Sequence, residues 1–247
     1  MSDSYFGELY LRFWRKKLDK VAEREVKEIL SLYEVYVSGK PRCIFDLGAG
    51  WGRHMLRFPG NVDVWGIEKE DVFVETYRKE APEGLKDHLF HGDIATFSVP
   101  EHLQGRCNLA LSLFSSLGWN EEADRKAFHV ASTLLEEGGI FIIDTDNRDA
   151  YAIHPPSRTW QKVDGGIVLD KHRINWTEST LITQREIHTE SGEVITLKRQ
   201  MRLYSLHEIV NMGRTVGLSF EGAFSNLHMG AWSIRSGRNV VVLRKEG

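Results

Sequence analysis

The segment Asp46-Leu47-Gly48-Ala49-Gly50-Trp51-Gly52 sets an acid and three alternate glycines at the end of a short apolar run, Cys43 to Leu47. Glycines at a strand end allow positive φ and let the backbone come close to a ligand. Free N–H groups at the start of a following helix attract negative groups. The segment therefore predicts a strand-to-helix turn that holds a nucleotide-like ligand. Glu68 closes the next apolar strand, 22 residues beyond Asp46. An acid there can accept both hydroxyls of a ribose. The dinucleotide fingerprint G-x-G-x-x-G does not fit: counted from Gly48 it meets Arg53, and from Gly50 it meets Met55, where glycine is needed. No Gly-Lys-Ser/Thr follows, so the segment is not a phosphate-binding P-loop either.

Groups that could move a proton gather where ligands sit in open α/β sheets, beyond the strand ends. Glu121, Asp144, Asp146, Tyr151 and His154 follow the fourth and fifth apolar strands, and His172 and His228 come later. Asp146, Tyr151 and His228 are the leading candidates for a base. A surface or core role is the competing reading for each histidine.

The elements that must position these residues follow from periodicity. Residues 5–37 carry Phe6, Leu9, Tyr10, Phe13, Trp14, Leu18 and Val21 at helical spacing. Short strands are expected at 43–47, 62–67, 89–91, 108–113 and 140–143. Helices fall at about 71–79 and 121–136, the second ended by Glu137-Gly138-Gly139. That alternation predicts a parallel sheet with helices on both faces. Beyond Asp149 the pattern changes. Residues 158–203 hold three β-rich stretches, the last two flanking Ser191-Gly192 as a hairpin. Ile195, Leu197, Met201 and Leu203 share one face of the final stretch, and Thr196, Lys198, Gln200 and Arg202 the other. A helix at 206–216 and strands at 218–224 and 239–243 complete the chain.

Taken in order, these landmarks resemble class I S-adenosylmethionine-dependent methyltransferases. The glycine segment looks like motif I of that family, His91-Gly92-Asp93-Ile94 like its Gly-Asp segment, and Glu137-Gly138-Gly139 like the Pro-Gly-Gly before strand five. The resemblance is good over 42–147 and looser beyond. Phe114-Ser115-Ser116-Leu117-Gly118 and Leu203-Tyr204-Ser205-Leu206-His207-Glu208-Ile209 are similar to the small-molecule group, including enzymes that N-methylate amino sugars. It implies a seven-stranded, mostly parallel, doubly wound sheet with a small antiparallel insertion after strand five, in one domain over 1–247. The N-terminal helical segment, about 1–40, would lid the cofactor, and the insertion, about 150–203, would cover the acceptor. It implies S-adenosyl-L-methionine as cofactor, held by Asp46, Gly48, Ala49, Gly50 and Gly52, by Glu68 and Lys69, by Gly92, Asp93 and Ile94, by Leu113 and Phe114, and by Tyr10. Asp93 would take the adenine amino group and Ile94 would pack on the ring. Aromatic faces on the first helix would attract the sulfonium charge, although packing that helix on the sheet explains the same stripe. Arg12 or Arg15 could reach the methionine carboxylate.

The expected reaction is methyl transfer to a nitrogen or oxygen of a small-molecule acceptor. A tRNA or protein methyltransferase, or a non-catalytic binding protein of the same fold, are the alternatives. Asp146-Asn147 is similar to the pair that holds Mg²⁺ in catechol-type enzymes. No acid follows strand four, though, so the oxygen shell is incomplete and no metal is expected. The net charge of −3 disfavours nucleic acid. No apolar run approaches the roughly 18 residues of a membrane span, and Met1-Ser2-Asp3-Ser4 opens no signal peptide. A cytoplasmic, reduced protein is expected, with Cys43 and Cys107 as separate core thiols. A homodimer is compatible with this reading.

Overall fold

The computed structural model describes residues 5–247; Met1 to Ser4, with the start of the expected lid, lie outside the described residues. Helix α1 (Glu8–Tyr36) leads into strands β1 (Cys43–Leu47) and β2 (Asp63–Glu68), helix α2 (Asp71–Glu80), and strands β3 (Leu89–His91) and β4 (Cys107–Ser112). Helix α3 (Glu121–Leu134), strand β5 (Leu135–Asp146) and helix α4 (Arg148–Ile153) follow. Strands β6 (Arg158–Val163), β7 (Gly166–Asn175), β8 (Thr180–Thr189) and β9 (Val194–Arg202) form a second sheet. Helix α5 (Leu206–Arg214) and strands β10 (Leu218–Phe224) and β11 (Arg238–Lys245) return to the first.

The main sheet runs β10-β11-β5-β4-β1-β2-β3. Strands β1 to β5 pair in parallel, and β11 is antiparallel to both β5 and β10. The chain moves outward one way through β2 and β3 and the other way through β4 and β5. The switch point, where ligands sit in such sheets, is therefore between β1 and β4. Alternate residues of each strand feed two cores. Ile44, Leu109, Leu111 and Ile142 face α1 and α2, while Phe45, Ala110, Phe141 and Ile143 face α3 and α5.

Several expectations change. No α-helix follows the glycine segment; only a single 3-10 turn, Met55–Arg57, lies between it and Pro59. Proline pushes the residue before it out of the helical region, and Phe58 is extended at φ −66°, ψ 151°. Too few residues remain for a helix, and Val26, Ile29, Leu32 and Tyr33 of α1 pack beside Met55 and Phe58 in this core. Helix α3 ends at Leu134, because Leu135 already pairs with Cys107. The first β-rich stretch is two strands, β6 and β7, turning at Asp164-Gly165, so the second sheet has four strands. Cys43 and Cys107, on the neighbouring strands β1 and β4, are joined as a disulfide with Cα atoms 4.4 Å apart, in place of separate thiols.

Helix α1 bridges both sheets. Its first turns bury Phe13 and Trp14 against Val168, Ile187 and Leu197 of the four-stranded sheet. Its last turns lie on the main sheet. Among the described residues, no helix is long and apolar enough to cross a membrane.

Candidate active site

At the switch point the glycine segment folds back on β2. The N–H groups of Gly48 and Ala49 both donate to the Ile67 carbonyl at 3.0 Å. The Gly50 N–H donates to Glu68 Oε2 at 2.8 Å, and the N–H groups of Lys69 and Glu70 to Oε1 at 2.9 Å. A carboxylate has about four acceptor sites, so one stays open on Oε2 as the loop stands. Burial pushes the Glu68 carboxyl above its usual range, against the pull of those backbone donors. Gly50 is left-handed at φ +58°, and a Cβ there would meet nothing within 4 Å. Gly48 sits so close to the β4 loop that a Cβ would lie 2.8 Å from Ser116 Oγ.

A cavity of about 220 Å³ opens along this loop. Every residue expected to hold the cofactor lines it except Gly52, from Tyr10 on α1 through Asp46, Glu68 and Asp93 to Phe114. Gly52 faces away, where a Cβ would strike the Tyr77 ring. Asp93 Oδ1 accepts the Ala95 N–H at 2.8 Å. Arg53, which argues against a dinucleotide in the sequence, also lines the cavity. It is buried, ion-paired with Glu25 of α1, and set 4.4 Å over the Phe114 ring. His54 reaches the same Glu25 oxygen at 3.1 Å and stacks on Phe114. Burial pushes His54 down to about 4, against the Glu25 hydrogen bond, so its ring is neutral at neutral pH.

The chain after β4 turns through two left-handed non-glycine residues, Phe114 at φ 53° and Ser115 at φ 62°. Such backbone costs roughly 1–3 kcal/mol per residue and persists only where the surroundings enforce it. Here the enforcement comes from β5: Ser115 N–H donates to the Asp144 carbonyl at 2.9 Å. Phe114 and Ser115 line the first cavity and also a second, polar one of about 280 Å³. Asp146 and Tyr151 stand in the second. Arg238, from β11, donates to Asp144 at 2.7 Å, to Asp146 at 3.2 Å and to Ser115 Oγ at 3.1 Å. The Tyr151 hydroxyl donates to Asp146 at 3.3 Å. Burial and the adjacent Asp146 hold the phenol well above its ordinary value, so Tyr151 is a donor here and not a base.

The remaining candidates fall elsewhere. His228 lies outside both cavities, where it pairs with Glu28 at 3.1 Å, too far from their walls to serve there as a base. Glu121 pairs with Arg125 on the surface, and Arg15 with Asp19 and Glu80. Arg12 covers the Phe13 ring at 4.9 Å. Asn147 donates its amide to the carbonyls of Ser236 and Ile234 and accepts from Asp149 N–H. Arg185, Arg199 and Arg238 line the second cavity and are not among the residues the sequence points to. Arg199 was within reach, since it has the parity of Leu197 and Met201 on β9. Arg238 was not, because nothing local links it to residues so far back in the chain.

No protein-family model matches the chain, and no curated protein sequence matches it. Solved structures do, over nearly its whole length. The CcbJ methyltransferase from Streptomyces caelestis has a TM-score of 0.75 at 18% identity, over 93% of this chain and 96% of that one. A SAM-bound amino pentose methyltransferase from Micromonospora echinaspora, involved in calicheamicin biosynthesis, gives 0.74 at 13%, over 99% and 100%. A sugar N-methyltransferase from a Streptoalloteichus species gives 0.69 at 16%, over 100% and 98%. The chain therefore has the Rossmann-like fold of these proteins, a mostly parallel seven-stranded sheet with a separate antiparallel sheet.

Proposed function

We propose that the chain is an S-adenosylmethionine-dependent methyltransferase acting on a nitrogen of a small molecule, with oxygen the second choice. Residues 1–247 work as one unit, with the first helix as lid and the four-stranded sheet over the acceptor. One observation carries this reading: the residues expected to hold the cofactor wall a single cavity, which meets a polar cavity at Phe114 and Ser115. The amino pentose and sugar N-methyltransferases of the same fold support a nitrogen acceptor. The arginines beside the site line a cavity, and Arg185 and Arg238 are ion-paired, which suits a small molecule better than a nucleic acid.

The site fits the cofactor. Glu68 keeps an acceptor for a ribose hydroxyl, Gly50 leaves open space for a close approach, and Phe6, Tyr10, Trp51 and Phe73 present rings that suit a sulfonium. When bound, S-adenosylmethionine supplies a methyl carbon already activated by positive sulfur. The protein's part is alignment, which can contribute as much as ~7–11 kcal/mol. Asp146 accepts the hydrogen bond of the acceptor N–H and takes its proton, while Arg238 and Tyr151 fix that carboxylate in place. Calorimetry tests the reading: saturable S-adenosylmethionine binding is expected, and binding of NAD with none of S-adenosylmethionine overturns it.

Asp46 adds a pH signature. Burial pushes its carboxyl up to about 7, with Arg53 opposing and Glu68 reinforcing the shift. A cationic ligand favours the ionised form. Below about 7 binding must therefore release a proton, and affinity should rise about tenfold per pH unit before levelling. The sign for the ligand-free fold is opposite: stability present below about 4 is lost as the pH rises through about 7. Asp46→Asn should flatten the binding profile. A wild-type affinity independent of pH between 5.5 and 7, roughly the span of this titration, would remove Asp46 from the site.

A further inference from the structure

The inner face of the four-stranded sheet is not uniformly apolar. Its row Val168–Ile187–Ile195 packs under α1, and its row Ile174–Leu181–Met201 lies against Trp119 and Tyr151. Between them run two polar rows, Asp170–Arg185 and His172–Thr183–Arg199. Polar groups in such a place cost stability unless hydrogen bonds satisfy them. Arg185 meets Asp170 at 2.8 and 2.7 Å, and His172 meets Thr183 and Thr159 at 3.0 and 3.1 Å. Arg199 is different. Its Nε is buried without a partner, and among the described residues it has no carboxylate. The rings of Tyr5 and Trp119 flank its guanidinium at 4.9 and 5.9 Å. Arg238 Nη2, in the wall of the same cavity, is also buried without a partner.

The charges in this cavity are matched except at two places. Arg185 has Asp170, and Arg238 has both Asp144 and Asp146. That leaves one negative charge in excess at Asp146 and one positive charge at Arg199. We propose that the cavity takes a zwitterionic acceptor, an amine seated at Asp146 and Ser115 with its carboxylate on Arg199 Nε and Arg238 Nη2. The reacting end rests on the methyl-transfer reading: Ser115 lines both cavities, and Arg199 lines only the second. Guanidinium donors match the geometry of a carboxylate. A neutral acceptor of the same shape would leave both donors unpaired, which is the situation in which a polar site discriminates most strongly.

β-Alanine and γ-aminobutyrate, each titrated calorimetrically against the amino alcohol of equal length, with and without S-adenosylhomocysteine, test this. The amino acids should bind at least about tenfold tighter. Arg199→Gln should erase that margin, Arg199→Lys should restore part of it, and S-adenosylmethionine affinity should stay within about twofold in both. Equal binding of the amino alcohols overturns the proposal, as does a margin that survives Arg199→Gln. Competition by inorganic phosphate and not by acetate also overturns it, by assigning the donors to phosphate. Selectivity for the amino acids without any S-adenosylmethionine binding would uphold this cavity and refute the methyl-transfer reading instead.

Discussion

Gly50→Val should lower S-adenosylmethionine affinity by about 100-fold or more, close to 2.7 kcal/mol. Two effects add. Gly50 is left-handed at φ +58°, where a residue with a Cβ is strained by roughly 1–3 kcal/mol and a β-branched one most of all. If the loop relaxes to escape that strain, it withdraws the N–H that fixes Glu68 Oε2 at 2.8 Å. Hydrogen bonds to charged groups are worth about 1.5–3 kcal/mol. If the loop does not relax, the new methyls stand in the open space beside Gly50, in the wall of the cavity. Either way the ligand loses its place. Gly52→Val is the control, because that position faces Tyr77 and not the cavity. It should lower the melting temperature more than Gly50→Val does and leave the affinity of the folded fraction nearly intact. An unchanged dissociation constant for Gly50→Val, in protein that melts cooperatively, would remove the glycine segment from the site.

The sheet was legible because buried parallel strands are short apolar runs, and each ends at a residue with its own chemical signature: Asp46 and the glycines, Glu68, Gly92-Asp93. Periodicity reports burial on one face, so it located the strands without showing what covers them. The position expected of a helix after β1 is filled by α1, and no local signal carries that substitution. The polar rows of β7, β8 and β9 were hidden for a related reason. Arg185 reads as a solvent-facing break in a strand, yet it is buried by a bidentate partner one strand away. The same holds for Arg238 beneath Asp144 and Asp146. Charged residues paired across the fold look like surface until the fold is known. Sequence therefore reached the residues of the proposed cofactor side, built from backbone turns and strand ends. It missed most of the proposed acceptor side, which is built from long side chains that meet only in three dimensions.

That blind spot includes the interaction with the largest expected effect on stability. Glu25 lies inside α1, buried, and takes both Arg53 and His54 on one oxygen. Burial pushes its carboxyl up, but the His54 hydrogen bond and the Arg53 guanidinium more than reverse this, and it ends below the usual range. Removing one partner of a buried ion pair strands the other charge, at about 3–5 kcal/mol. Glu25→Ala should destabilise the fold by that amount in urea. It should also weaken cofactor binding, because Arg53 and His54 together brace the Phe114 ring in the cavity wall. Glu25→Gln, which keeps an acceptor but no charge, should cost less. Glu25→Leu combined with Arg53→Met replaces the pair by apolar groups of similar size, and such exchanges are often neutral or stabilising. The double variant should therefore recover most of the stability lost in Glu25→Ala while the affinity stays low, since Phe114 has lost its cation. A cost below about 1 kcal/mol for Glu25→Ala would mean that water reaches Arg53, which the buried pair does not allow. Recovery of stability and affinity together would mean that the pair shapes the fold and plays no part in holding the cavity wall.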